Sequence, residues 1–563
     1  MAGRNWLSQL TSGIDDRSHP LGTESGLKEF HQTLPASQPG LAVSQICDAL
    51  DQAREAKVSA PAFQRALAAL DEAAQPALAE LRHTMFHDPR GDRISEVSQR
   101  ALAAYARHMA GLYLYALDLL QAPLEGDDAI SRGALNSLRA MRCAMEIKKL
   151  GRIAYQAPDL ELWRLIHRIH ARAGELKVQR VQTPVLAQAY AGNPERVSVQ
   201  HEYVAGLLFE TAPLGGLLPT QIECLDLLVR RYAPVLLWSE KPAPEVPFHI
   251  DLERPAAPQR WLPGLAARAS MRFLGPGGIG ADLESLAEKA RAAGQLPEWA
   301  VPSECDLEGY LALLRMLREH WSTSPPQRRH RRTPTGNELL LVHGLLQARR
   351  MVAASEYARS GAQIPKAVDP VLAKKQFDKI RFGSVNPDKT TTGKLQKKEF
   401  IPPKQMLEKL ELAGDKEMMQ RSSVADTSDS GIGVSIPLRA TWARLGVLVG
   451  YRFSDSLDWQ IAIVRRISRA ADHLSVGLER LIGKTQSVRF VPERRDFTAT
   501  FSQIDALEGI LIEGAVGLLV APVGQYAAGQ ALTLGIGEGS RAARVKMSVD
   551  SGKDYRIIAL GPE

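Results

Sequence analysis

Over the first part of the chain, apolar residues recur every three or four positions. Ala60 to Leu81, Ser95 to Leu120, Ile130 to Leu150 and Leu160 to Arg172 are rich in Ala, Leu, Arg and Glu with this spacing. That is the period of amphipathic helices packed side by side. It predicts a helical bundle over residues 25–232, preceded by a disordered tail at 1–24. Prolines 234, 242, 244, 247, 255, 258 and 263 then break the period. A shorter helical part is expected over 264–321, closing in a periodic helix from Asp306 to Trp321, so that 233–321 forms a Pro-rich segment and helical subdomain.

Beyond Trp321 the period changes. The runs Gly431–Ile436, Leu445–Phe453, Trp459–Ile467 and Leu474–Leu478 are short and β-rich, with polar or Gly-bearing stretches between them. Such runs predict a small antiparallel barrel within 322–482. Further runs at Leu511–Ile512, Val516–Val520, Ala531–Leu534, Arg544–Met547 and Tyr555–Ile558 place another β-rich region over 483–563. It is either a second domain or an extension of the barrel. The expected class is therefore multidomain α+β: an N-terminal helical bundle, a small antiparallel β-barrel and a further C-terminal β-rich region.

With 563 residues, 45% of them hydrophobic, the chain has material for about three or four domains. Its four cysteines, Cys47, Cys143, Cys224 and Cys305, stand far apart, which indicates neither a disulfide framework nor a zinc site. The start, Met-Ala-Gly-Arg-Asn-Trp-Leu-Ser, lacks a long apolar region, and no uninterrupted apolar run is long enough to cross a bilayer. A cytoplasmic protein without a membrane span is expected. The net charge of +7 is concentrated locally, in Arg328-Arg329-His330-Arg331-Arg332 and in a Lys-rich piece (Lys374, Lys375, Lys379, Lys389, Lys394, Lys397, Lys398, Lys404). Local positive charge favours an anionic ligand or partner.

Two short motifs sharpen that expectation. Arg328 and Arg332 form an RxxxR spacing just before Thr333-Pro334, and Asp426, Ser428 and Gly431 form DxSxxG. Pro334 disfavours helix at Thr333, so the arginines lie on a loop entering a strand. Forked guanidinium groups pair bidentately with phosphate oxygens or with guanine O6 and N7. A carboxylate accepts from the guanine N1 and N2 edge, Ser428 donates to phosphate or ribose, and Gly431 allows a tight turn. The two motifs, followed by strands that include Val464-Arg465-Arg466 and Val476-Gly477-Leu478, resemble the PilZ family, receptors for cyclic di-GMP, over residues 326–482. The resemblance implies a barrel that binds cyclic di-GMP through Arg328, Arg332, Asp426, Ser428 and Gly431, with Arg329 and Arg331 as alternative donors. It implies no cofactor, and an output through a protein partner of the helical region.

Two features depart from that family. Residues 348–420, helical stretches flanking the Lys-rich piece, intervene between the motifs and are read as an insertion. Asp429 adds a carboxylate inside the second motif, which suits a dianionic ligand only when its side chain points to solvent. The rival readings are a nucleic-acid-binding protein that uses the arginine run and the Lys-rich piece, or a scaffold with a silent barrel. Few aromatics (Phe377, Phe382, Phe400) accompany the lysines, which disfavours nucleic acid. Gly275 to Gly280 matches GxGxxG without a surrounding βαβ unit and reads as a glycine-rich loop before a helix. His83 and His87, beside Asp88, have metal-ligand spacing but no third ligand in view and read as a surface feature, and His167 and His170 read as part of a solvated basic face. No motif supports catalysis, so a receptor is expected rather than an enzyme.

Overall fold

Helix-period spacing becomes helix wherever a cap closes it. The structure, a computed structural model, describes residues 19–87, 94–122, 124–185, 195–262, 264–325, 332–360, 402–412, 419–493, 506–536 and 539–561. The chain divides into two compact units, residues 1–327 and 328–563. In the first, α1 (Glu24–Thr33), α2 (Pro39–Glu55), α3 (Ala60–Phe86), α4 (Glu96–Asp118), α5 (Asp127–Ile153) and α6 (Leu160–Glu175) lead to a short ladder of β1 (Thr183–Pro184) and β2 (Arg196–Val197). Then come α7 (Val199–Thr211) and α8 (Pro219–Arg231). Thr23, Ser95, Asp159 and Ser198 accept from the first-turn amides of α1, α4, α6 and α7, while prolines open α2, α3 and α8.

α7 is buried along its whole length and serves as the interior of the bundle. It carries charge inward. Glu202 pairs with Arg230 at 2.6 Å and with Arg142 at 3.2 Å, and Lys149 of α5 is ringed by Glu223 (2.8 Å), Glu146 (2.9 Å) and Asp226 (3.3 Å). The expected basic face of α6 is only half there. Arg164 and Arg168 point outward, but His167 contacts the Tyr203 hydroxyl at 2.8 Å and His170 stacks on the Tyr203 ring. The helical period puts both histidines on the buried side with Trp163 and Ile166. Burial holds both below the usual histidine range, His167 at about 4.

The Pro-rich segment is not helical. β3 (Leu237–Ser239), β4 (Phe248–Asp251), β5 (Gln259–Arg260) and β6 (Met271–Gly275) form an antiparallel sheet in the order β3-β6-β4-β5. Prolines 242, 244, 255 and 258 occupy the links between these strands, where their missing N–H costs no ladder bond. The glycine-rich loop follows β6, whose neighbours both run antiparallel, so no dinucleotide-binding crossover exists here. A side chain at Gly277 would collide with the Val235 carbonyl. α9 (Ile279–Ala293) and α10 (Leu307–Trp321) complete the unit, and a continuous core runs from Leu21 to Trp321. Among the described residues no helix is long and apolar enough to cross a membrane.

The second unit holds two barrels. β7 (Thr333–Pro334), β8 (Glu338–His343), β9 (Gln420–Thr427), β10 (Gly431–Pro437), β11 (Leu448–Phe453), β12 (Gln460–Arg469) and β13 (His473–Leu481) pair in the order β10-β13-β12-β11-β8-β9-β7. Because β9 also pairs with β10, the six strands β8 to β13 close on themselves, and β7 extends the β8 edge of β9. The C-terminal β region is a closed barrel of its own. β14 (Lys484–Pro492), β15 (Leu507–Glu513), β16 (Leu518–Ala521), β17 (Ala531–Ile536), β18 (Gly539–Ser551) and β19 (Arg556–Gly561) circle as β14-β15-β16-β19-β18-β17. Val488, Phe490, Leu511, Leu519, Leu532, Leu534, Val545 and Ile558 fill it.

The apolar run Glu338–Gln347 is strand only as far as His343. Gly344 turns the chain at φ 81°, and α11 (Leu345–Arg359) starts with its Leu345 amide donating to Asp554 Oδ2 at 2.7 Å. α12 (Pro403–Leu412) returns beside it. The flanks of the expected insertion are therefore core: Ala348, Met351, Val352, Met406, Leu407 and Leu410 share one apolar cluster with Ile461 and Ile463 of the first barrel and Ile510, Ile512 and Ile557 of the second. The Lys-rich centre, 361–401, lies outside the described residues. On α12, Glu411 accepts from Arg452 Nε and Nη2 at 2.8 Å each and from Trp459 Nε1 at 3.0 Å.

Glu356 of α11 accepts from the Ser487 amide at 3.2 Å, and burial pushes its carboxyl from 4.5 up to about 7. The folded protein thus holds a proton that the unfolded chain releases, so stability from this group falls as pH rises from 4.5 to about 7. Glu356→Gln, neutral at every pH, should match the parent near the lower value and exceed it by about 1–2 kcal/mol above the upper one. Urea midpoints across this range test it; a pH-independent difference would mean that the carboxyl is ionised in the fold.

Candidate functional site

Strand pairing assembles the site from distant parts of the second unit. β7 lies along β9 with Thr333 opposite Thr427 and Pro334 opposite Asp426. Arg332, one residue earlier, reaches Asp426 across 94 positions of sequence, its Nη1 donating to Oδ1 and Oδ2 at 2.9 Å each. On the other edge of β9, Asp426 stands opposite Gly433, where the register shifts. A Cβ there would come within 2.7 Å of Asp426 Oδ1. Gly433 therefore leaves the space in which the carboxylate lies.

The DxSxxG segment is the β9–β10 hairpin. The Ser428 amide donates to the Gly431 carbonyl at 2.8 Å, and the Ser428 hydroxyl donates to the same oxygen at 3.3 Å. Gly431 does not make the turn by a positive φ, as the sequence suggested; it opens β10 opposite Glu479. Its lack of a side chain matters because a Cβ would sit 3.2 Å from the Leu478 carbonyl of the neighbouring strand. Asp429 is exposed at the hairpin tip. Of the expected ligand residues, Arg332, Asp426, Ser428 and Gly431 meet here, whereas Arg328, Arg329 and Arg331 lie outside the described residues.

Arg480 was missed. Its amide donates to the Ser430 carbonyl at 3.0 Å, and its guanidinium donates to the Tyr451 hydroxyl at 2.8 Å and to Gln460 Oε1 at 3.1 Å. A second cation is thus fixed against the hairpin by β11 and β12. The available signal was its place on the strand that continues Val476-Gly477-Leu478; only pairing shows that this strand flanks the motif.

The hairpin brings together guanidinium donors, a carboxylate acceptor and a hydroxyl. Arg332 and Asp426 are 32% and 28% exposed, so their ion pair contributes roughly 0.2–1 kcal/mol. Charge-assisted bonds to a phosphate exceed that, and a ligand can take over either partner. Until then, Arg332 offsets the Asp426 charge that would repel an anion. A cavity of about 310 Å³ elsewhere in the unit is lined by Glu338, Leu340, Glu408, Glu411, Arg421 and Arg452, among others, and none of the motif residues borders it.

Residues 25–242, less than half of the chain, match the family model described as the N-terminal domain of the cyclic-di-GMP receptor FimW. The match falls on the helical unit, in which the sequence suggested no family. No curated protein and no solved structure matches the chain.

Gly433→Ala should displace Asp426 rather than disrupt β10, because the colliding atoms are the free end of a side chain. We expect an unchanged circular dichroism spectrum, with binding of cyclic di-GMP weakened about tenfold because the displaced Asp426 carboxylate no longer stands where a guanine edge would meet it. Parental affinity in this variant would remove Asp426 from the site.

Proposed function

We propose that the chain is a cyclic di-GMP receptor whose first barrel binds the dinucleotide between the arginine segment and the β9–β10 hairpin. The observation that carries this reading is the Arg332–Asp426 pair, in which Nη1 donates to both carboxylate oxygens, beside Ser428 and Arg480. The family match of the helical unit supports the same ligand from a separate stretch of chain. Arg332 and Arg328 grip phosphate or the guanine O6 and N7 edge, Arg329 and Arg331 being interchangeable with them. Asp426 accepts from guanine N1 and N2. Ser428 donates to phosphate or ribose, and Arg480 holds the hairpin and adds positive field. These are binding roles; none moves a proton or a bond.

Output passes to the helical unit along the chain. α10 ends at Trp321, and residues 322–336 carry the arginine motif with almost no apolar content. Nothing within that stretch can offset the entropy of ordering it, whereas a bound dinucleotide can. A protein partner of the helical unit then receives the signal.

Calorimetry with cyclic di-GMP tests the site. Arg328→Ala and Arg332→Ala should each weaken binding by about 2–3 kcal/mol, the scale of a lost charge-assisted bidentate contact. Parental affinity in the double variant would sink the assignment, and salt-steep binding of RNA or duplex without any response to the dinucleotide would favour the nucleic-acid reading.

Limited trypsin digestion tests the output. Cleavage after Arg328, Arg329, Arg331 and Arg332 should slow when cyclic di-GMP is present, and hydrogen-exchange protection should spread into α10. Protection confined to 326–334 would leave binding in place and remove this route to the helical unit.

A further inference from the structure

We infer that His83, His87 and Glu304 form a divalent-metal site, best suited to Zn²⁺, that ties the end of α3 to the turn before α10. The sequence offers only the two histidines, one helical turn apart. Folding supplies the third ligand from 221 residues away. His83 lies in the last turn of α3 and His87 just past its end, and their rings stack with centroids 4.3 Å apart. Glu304 Oε1 stands 3.3 Å from His83 Nδ1 and Oε2 stands 3.6 Å from His87 Nε2. One donor atom from each residue falls within 4.8 Å of the others. Around a tetrahedral zinc with bonds of about 2.0–2.1 Å, ligand atoms sit about 3.3–3.5 Å apart. The two histidine–glutamate separations, 3.3 and 3.6 Å, lie close to that figure.

Two further observations point to a ligand rather than to an ordinary ion pair. His87 Nδ1 is 3.2 Å from the His83 carbonyl, an oxygen that only accepts, so Nδ1 carries the proton and Nε2 keeps its lone pair for the neutral ring. Fixing the distal nitrogen on a backbone carbonyl is how ligating histidines are oriented. Glu304 adopts φ 57°, a left-handed backbone usually left to Gly or Asn, yet carries a side chain aimed at both rings. Two imidazoles and a carboxylate, with no sulfur, suit zinc and leave a fourth position to water. All three residues are exposed, so an ion enters without rearrangement. Asp88, the neighbour noted in the sequence, lies outside the described residues.

The site would staple the segment that matches the receptor family to the helix leading toward the arginine motif. The test uses the full chain, free of affinity tags and stripped with chelator, titrated calorimetrically with zinc chloride and, in parallel, with Co²⁺ monitored by its visible absorption. We expect one ion per chain and a tetrahedral cobalt spectrum. His83→Ala, His87→Ala and Glu304→Gln should each weaken uptake about tenfold or more, with circular dichroism unchanged because the side chains are exposed. Zinc should raise the thermal midpoint of the parent but not of the His83→Ala, His87→Ala double variant. Absence of uptake by the parent, or parental stoichiometry and affinity in the double variant, would overturn the site. Neither outcome bears on cyclic di-GMP binding by the barrel.

Discussion

Burial of α11 between two barrels is the interaction on which the second unit depends. Gly450 of β11 lacks a side chain where Ala348 presses in, since a Cβ there would lie 3.2 Å from the Ala348 Cα. On the other side Arg349 pairs with Glu508 at 2.6 Å, Glu356 meets the Ser487 amide, and Asp554 closes the first turn. Burying Leu345, Met351 and Val352 adds about 1.5–3 kcal/mol for each side chain. The helix follows β8 directly through Gly344, which ties the first barrel to the wall of the second. A second link, Arg465 of the β12 bulge to Glu479 and Asp550, joins the barrels at another point.

The helical unit rests on a different balance. Its central helices carry Glu202, Glu210, Glu223, Asp226, Lys148, Lys149 and Arg230 inside the core. Each charge has an opposite partner, and deleting one would cost about 3–5 kcal/mol because the other is left uncompensated. Such pairing adds little net stability over apolar packing, but it specifies which helix faces meet. α10 joins the same interior through Trp321, whose Nε1 donates to Thr211 at 2.9 Å. The end of α10 is therefore anchored in the bundle core, and the chain leaves toward the arginine motif from a fixed point.

At the proposed site, side chains of opposite sign pair with one another. Arg332 occupies Asp426, Arg480 is spent on Tyr451 and Gln460, and Ser428 bonds the hairpin backbone. None of these bonds is strong in half-exposed surroundings, so each can be exchanged without dismantling the fold. Specificity then comes from geometry, since the paired strands fix where each fork and each acceptor stands.

The sequence by itself determined the helices of the first unit, because their three- and four-residue period is a local property that capping residues reinforce. It also determined most strands of the two barrels, and the two motifs that resemble a cyclic di-GMP receptor. It did not determine β9, whose inward residues are only Ser422 and Val424, or the four short strands hidden among prolines. Helix on both flanks of the Lys-rich piece was legible, but not that α11 and α12 join the core shared by the two barrels. The ionic web of α5, α7 and α8, the place of Arg480, the reason for Gly431 and the meeting of Glu304 with His83 and His87 were decided only by tertiary structure. Each depends on contacts between residues far apart in the chain, and local periodicity carries no record of which distant surfaces will meet.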